Sequence, residues 1–341
     1  MPDADRRPVG ATAAGDWPGT DPLEANRAAR GELGDANLPF LPSLPGRGPG
    51  SDAVGRTLGM LVELPFDLQP HGWRLVQRPG RDQRRAESAL SSDINALGDI
   101  AGAEERPAPR LKLHLQGPLS LAAGVHLHNG ERVLVDSGAR RELYESLAAG
   151  AADLVRRVAA VARGANLVLQ LDEPDAGAVL AGRVPTASGY RTLRAVDRRE
   201  ATEAWDAVTA SAIAAGARGT VLAPGGGDVV LDAARAGTAA LCLEVRGIPE
   251  RHWEALAEDI ESGRELWLGV LDPEADLLQV RTLVESVLGP WWRVGLPVTA
   301  LSALTVTTLP GLSRRVPSDA VRAVTRTAQV ADALEQVRAE G

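Results

Sequence analysis

The sequence predicts an α/β chain folded as a (β/α)8 TIM barrel, and three observations lead there. From Arg110 onward, short apolar runs rich in strand formers alternate with longer amphipathic segments. The runs lack strict polar–apolar alternation, as expected of strands covered by helices on both faces. One of them, Asn166-Leu-Val-Leu-Gln-Leu-Asp-Glu-Pro174, stops abruptly at two carboxylates and a proline that cannot continue a ladder. Chemistry collects at the carboxyl ends of parallel strands, so Asp172 and Glu173 are candidate functional residues by position as well as by charge. A helix cap or a loop salt bridge is the plainer reading of an acidic pair.

In chain order, residues 1–8 read as a frayed tail, and 9–338 as a single barrel domain with an N-terminal loop-rich insertion. Val9 to Thr20 is a small-residue strand that breaks at Asp16 and Pro18, and Leu23 to Leu33 has helical spacing. Leu38 to Gly50 carries Pro39, Pro42, Pro45 and Pro49, too many for a central strand. Its apolar residues argue for an ordered loop with a short strand at its start. Asp52 to Leu64 restores helical spacing, and Arg78 to Arg110 reads as helix and loop. Strands follow at 111–116, 167–172, 220–223, 240–245, 266–271 and 301–307. Helices separate them at 140–162, 197–215, 228–236, 249–262 and 277–288, with a last one at 318–337. Asp197 with Glu200 is a capping-box-like start, and Gly216 is a plausible C-cap. With the strand near Ala11 and a weak one near Phe40, the series supplies the eight strands a (β/α)8 barrel needs. An open doubly wound sheet is the alternative, but no Gly-x-Gly-x-x-Gly follows the first strand.

The chain has 341 residues, 44% of them hydrophobic, and a net charge of -8, so it can bury a large core and has no general attraction for nucleic acid. Aromatics are 3%, which leaves Leu, Val and Ala to build that core. Cys242 is the only cysteine, which excludes an intramolecular disulfide and any metal site needing two thiolates from one chain. No segment reaches the length of a membrane span, and the charged start lacks an apolar signal region, so a cytoplasmic location without membrane partners is expected.

Gly15-Asp-Trp-Pro-Gly-Thr20, Gly117-Pro118, Leu171-Asp-Glu-Pro174, Ala239-Ala-Leu-Cys-Leu-Glu244 and Leu309-Pro-Gly-Leu312 follow in order along nearly the whole chain. Together they resemble the catalytic C-terminal barrel of cobalamin-independent methionine synthases. The resemblance implies a uroporphyrinogen-decarboxylase-like barrel in which zinc, held by His, Cys, Glu and Cys, activates the homocysteine thiol toward a methylated folate. It also implies that Asp172 grips the substrate amino group. The ligand positions depart from the pattern: Gly219 and Val221 stand for the His-x-Cys pair and Pro310 for the last cysteine. Glu244 is the only aligned ligand, and one carboxylate cannot hold zinc against water. No zinc or folate cofactor is therefore expected. Asp16 replaces the family's serine, Gly124 falls at or near its pteridine-contacting aromatic residue, and the acidic residue of the 41–50 loop is missing.

Other features carry a functional and a plainer reading. Gly225-Gly-Gly227 joins a strand to a helix and is either an anion-holding turn, with Gly226 between, or a flexible turn capped by Asp228. Cys242 is either half of a Cys/Glu site or a small buried hydrophobe. His126-Leu-His128 has metal-like spacing but precedes the turn-forming Asn129-Gly130. His114 shares strand parity with Lys112 and Gln116 and reads as a structural histidine. Trp291-Trp292-Arg293 reads as packing after a helix, with a homodimer contact as the alternative. Arg78 to Arg85 reads as a solvated face.

The expected function is a methionine-synthase-like methyltransferase-family barrel with a degenerate zinc site, binding a small ligand with amino or carboxylate groups. Asp172, Glu244 and Asp16 are its candidate catalytic residues. Asp172, Glu173, Gly225, Gly226, Gly227 and Arg47 are the candidate substrate contacts. The alternatives are a non-catalytic binding or regulatory barrel, and a metal-free enzyme of altered chemistry using Asp16 and Arg47.

Overall fold

Seven parallel strands form the main sheet of the computed structural model, which describes residues 7–341; the tail expected over 1–8 lies almost wholly outside them. The elements run β1 (Gly10–Ala11), α1 (Pro22–Leu33), α2 (Ala53–Leu58), β2 (Phe66–Gln69), β3 (Gly72–Leu75), α3 (Arg81–Ala103), β4 (Arg110–Gln116), α4 (Pro118–Gly124), β5 (Val125–His126) and α5 (Ser137–Val161). They continue β6 (Asn166–Asp172), α6 (Ala176–Leu180), α7 (Arg198–Ala214), β7 (Gly219–Ala223), α8 (Asp228–Arg235), β8 (Ala240–Glu244) and α9 (Glu250–Glu261). The last are β9 (Leu266–Leu271), α10 (Val280–Arg293), β10 (Leu304–Thr308) and α11 (Pro317–Glu340). The sheet order is β1-β10-β9-β8-β7-β6-β4, with sequence neighbours adjacent from β6 to β10 and a helical crossover between each pair.

The eighth strand is the main departure. Residues 38–43 lie between the two edges: Leu38 N–H donates to Ala11 O (2.9 Å), Leu41 N–H to Lys112 O (2.9 Å) and Ser43 N–H to Gly15 O (3.0 Å). Pro39 and Pro42 have no N–H to give, so the segment forms only isolated bridges, Phe40 with Lys112 and Asp16 with Ser43. The fold is barrel-like without a continuous eight-stranded ladder.

Side-chain parity divides the strands into two cores. Leu111, Leu113 and Leu115 of β4 and Leu167, Leu169 and Leu171 of β6 pack outward into the large helix-facing core. Inward, Leu38, Val168, Val221 and Trp267 close the floor of the barrel. Burying each such side chain contributes about 1.5–3 kcal/mol, so the floor is a firm apolar plug under whatever lies above it.

Several local expectations change. The helix expected over 52–64 is only α2, capped by the Asp52 carboxylate on Gly55 N–H; beyond it the chain turns away, and Val62 bonds through both backbone groups to Ser146. Residues 81–103 form one long helix, and β2, β3 and β5 make a separate three-stranded sheet. The helix expected over 277–288 spans 280–293 and passes through Pro290, so Trp291 and Trp292 belong to α10 itself. Trp291 is fully buried and donates to Pro297 O, whereas Trp292 is 58% exposed. Asp197 caps Arg199 N–H, but Glu200 does not close a capping box: it chelates Arg140 at 2.6 and 2.9 Å. His126 is buried, with Nδ1 3.2 Å from Trp73 O.

Candidate functional site

A cavity of about 780 Å³ opens at the carboxyl ends of the strands, within the size range of small-ligand sites. Asp16, Asp172, Glu244 and the Gly225–Gly227 turn all line it, although they lie far apart in sequence. Gly225 (φ +68°) and Gly227 (φ +116°) adopt the left-handed conformations that let this turn fold back over the mouth.

The central wall is built by β4 and β6, whose register sets His114 beside Gln170 and Gln116 beside Asp172. Just above the apolar floor lies Lys112, wholly buried, donating to Ala14 O (2.9 Å), Gln170 Oε1 (2.9 Å) and Ala13 O. Its ammonium sits over the Phe40 and Trp267 rings at 5.6 and 5.9 Å. Burial pushes its pKa down to about 8, with Asp172, Cys242 and Asp16 pulling the other way. Gln170 passes the network upward, donating from Nε2 to Asp172 Oδ1 at 2.6 Å. Asp172 Oδ2 lies 3.2 Å from His114 Nδ1. Burial holds the His114 imidazole below its ordinary pKa, so it is neutral near pH 7 and donates Nδ1–H to Asp172. The dyad orients a carboxylate whose side chain is 32% exposed, leaving lone pairs for a ligand.

The His114 ring lies where a Cβ on Gly15 (φ +133°) would meet Nε2 at 2.6 Å. Gly15→Ala is expected to displace the ring and cost about 2–4 kcal/mol in urea unfolding, through overpacking and backbone strain together. An unchanged midpoint would mean the ring does not sit there.

Three expected substrate or catalytic residues are engaged elsewhere. Asp16 accepts from Gly311 N–H, Ser313 N–H (2.8 Å) and Ser313 Oγ–H (2.6 Å), so it pins the turn after β10 instead of standing free as a base. Glu173 is fully buried, and its carboxylate accepts from Leu119 N–H (2.9 Å), Ser120 N–H (2.7 Å) and Trp205 Nε1–H (2.7 Å). It anchors the start of α4 to α7 at the wall of the cavity. Arg47 points its guanidinium at the buried Asp93 of α3, 2.8 Å away, because Asp93 needs a counter-charge more than the cavity does. Glu244 is exposed at the mouth.

Two arginines line the cavity, the exposed Arg314 and the buried Arg56, and the sequence reading missed Arg56. No motif marks it; its only signal is a position one turn past the Asp52 cap. Among the described residues, the buried side-chain atoms without partners include Arg56 Nε and Nη2, His114 Nε2, Gln116 Oε1 and His252 Nδ1, all on residues lining this cavity. Each such group costs about 1–3 kcal/mol if nothing satisfies it.

The donors for zinc do not fit. Val221, aligned with a cysteine ligand, packs in the apolar floor with Val168 and Trp267, and Gly219 lies earlier on the same strand. Val221 pairs with Ala240, four residues before Glu244 along β8, so it shares the inward face with Glu244 but lies deeper in the barrel. Ala223 and Gly225 line the cavity instead and offer no side-chain donor. Burial pushes the Cys242 thiol up to about 12, away from the thiolate a metal needs. Among the described residues, no three His, Cys, Asp or Glu side chains gather as a metal cluster.

The sequence matches no protein-family profile and no curated protein. In fold the chain is similar to a B12-independent methionine synthase from Shewanella sp., solved in complex with selenomethionine, at TM-score 0.60 and 11% identity over 98% of this chain and 100% of that one. It is also similar to a methyltransferase from Methanosarcina mazei, at TM-score 0.54 and 14% identity over 95% of this chain and 94% of that one. At such identities the likeness is one of fold alone. No described helix is long and apolar enough to cross a membrane.

Proposed function

We propose that the chain is a methionine-synthase-like barrel that binds a small amino-acid-like ligand in its strand-end cavity without zinc. The observation that carries this reading is the buried Lys112–Gln170–Asp172–His114 network, which holds one carboxylate in a fixed orientation at the cavity wall. Asp172 takes the ligand ammonium, Glu244 adds negative potential at the mouth, and the apolar lining accepts a thioether or alkyl side chain. The selenomethionine bound in the Shewanella protein is a ligand of this class. Asp16 and Arg47, the residues a metal-free enzyme of altered chemistry would use, are occupied by Ser313 and Asp93, which favours the binding reading over that alternative.

Without a metal, a substrate thiol here has no strong reason to ionise, and Asp172 and Glu244 oppose a thiolate by like-charge repulsion. Purified protein is expected to hold far less than one zinc per chain by elemental analysis, and methyl transfer from a methylated folate to homocysteine to be undetectable. One zinc per chain surviving dialysis would overturn this reading.

A further inference from the structure

The wall beside Asp172 holds a cation whose hydrogen bonds are incomplete. Arg56 is 3% exposed, lines the cavity, and spends only Nη1, on His114 O at 3.1 Å. Nε and Nη2, the two donors on one edge of the guanidinium, have no hydrogen-bond partner among the described residues. Asp93 is the nearest carboxylate, but its Oδ2 stands 3.7 Å from Nε and already accepts from Arg47 Nη2 at 3.0 Å. Two arginines thus share one carboxylate, and the buried, unbonded Nε/Nη2 edge is the planar fork that grips a carboxylate with two parallel bonds. Beside it, Gln116 is held by its backbone N–H on Thr57 Oγ1 (3.0 Å), while its Oε1 is buried without a donor.

We propose that Arg56 and Gln116 form a carboxylate-recognising subsite, the guanidinium edge taking the carboxylate of a small ligand and Gln116 Oε1 accepting from an adjacent N–H. This rests on the amino-acid reading of the cavity and assigns its second charged group. The occupant is a monoanion: Asp16, Asp172, Glu244 and Asp272 line the same cavity and repel a dianionic phosphate.

Calorimetric titration of the full chain with four probes tests it: L-methionine, 3-(methylthio)propanoate, which lacks the ammonium and the carbon that bears it, 3-(methylthio)propylamine, which lacks the carboxylate, and inorganic phosphate. Methionine and the propanoate are expected to bind, with the amine weaker than methionine by about tenfold or more, or 1.4 kcal/mol. Arg56→Lys keeps the charge and loses the fork. It is expected to weaken both carboxylates by about tenfold and leave the amine unchanged. Equal binding of methionine and the amine, tighter binding of phosphate, no binding of either carboxylate, or an Arg56→Lys protein with unaltered carboxylate affinity would each overturn the subsite. The comparison among probes uses the unaltered protein, so a misfolded variant does not remove the test. If the propanoate binds through Arg56 and methionine binds no better, the subsite stands and the amino-acid reading fails. If the amine binds as well as methionine, the ammonium site stands and the Arg56 subsite fails.

Discussion

Asp172→Asn is expected to weaken methionine binding by about 100-fold while leaving the protein folded. The substitution keeps the shape of the side chain but removes the charge that faces the ligand ammonium. Truncating or neutralising one partner of a partly desolvated ion pair costs about 2–5 kcal/mol, and 100-fold corresponds to about 2.7 kcal/mol. The amide also disturbs its own supports: Gln170 Nε2 and His114 Nδ1–H both donate to Asp172, and an amide nitrogen accepts from neither. Titration calorimetry with L-methionine reads the affinity, and circular dichroism confirms the fold. Unchanged affinity would remove Asp172 from the site.

Glu173→Ala is expected to be among the most damaging substitutions to stability, costing about 3–5 kcal/mol in denaturant unfolding, because it strands three buried donors at once: Leu119 N–H, Ser120 N–H and Trp205 Nε1–H. A second consequence concerns pH. Burial pushes the Glu173 carboxyl up from 4.5 to about 7, against the pull of its three donors. A raised folded pKa means that the folded state binds the proton more tightly than the unfolded chain. The stability this group contributes is therefore full below about 4.5, falls as pH rises toward 7, and is flat above. The loss is on the order of 3 kcal/mol across that window. Glu173→Gln cannot titrate and is expected to flatten this part of the curve. A stability profile that rises between pH 5 and 7, and is the same in Glu173→Gln, would contradict the assignment.

The parallel strands were legible because buried strands are short, apolar and bounded: β9 falls on its expected residues and β6 ends at Asp172 as Pro174 requires. The strand near Phe40 was legible only as a weak run, since Pro39 and Pro42 remove the ladder donors while neighbouring residues still bond to both edges. Strand position also brought Asp172 and Glu244 to the cavity. What escaped depends on distant partners. Glu173 and Asp172 are adjacent, yet alternation turns one toward Leu119 and Ser120, more than fifty residues back, and the other toward His114. Arg47 and Arg56 both lie in the 41–64 region, and only the position of Asp93 on α3 decides which one is consumed by a partner. Val221 shows the limit of a two-residue period, which gives the face of a strand but not its height in the barrel.

The cavity is expected to bind an amino-acid-like ligand with its own side chains and no metal. Titration of chelator-treated, zinc-free protein with L-methionine tests it most directly. Saturable binding that is unchanged by added zinc is the predicted result; binding that appears only when zinc is restored, or none with either, would contradict it.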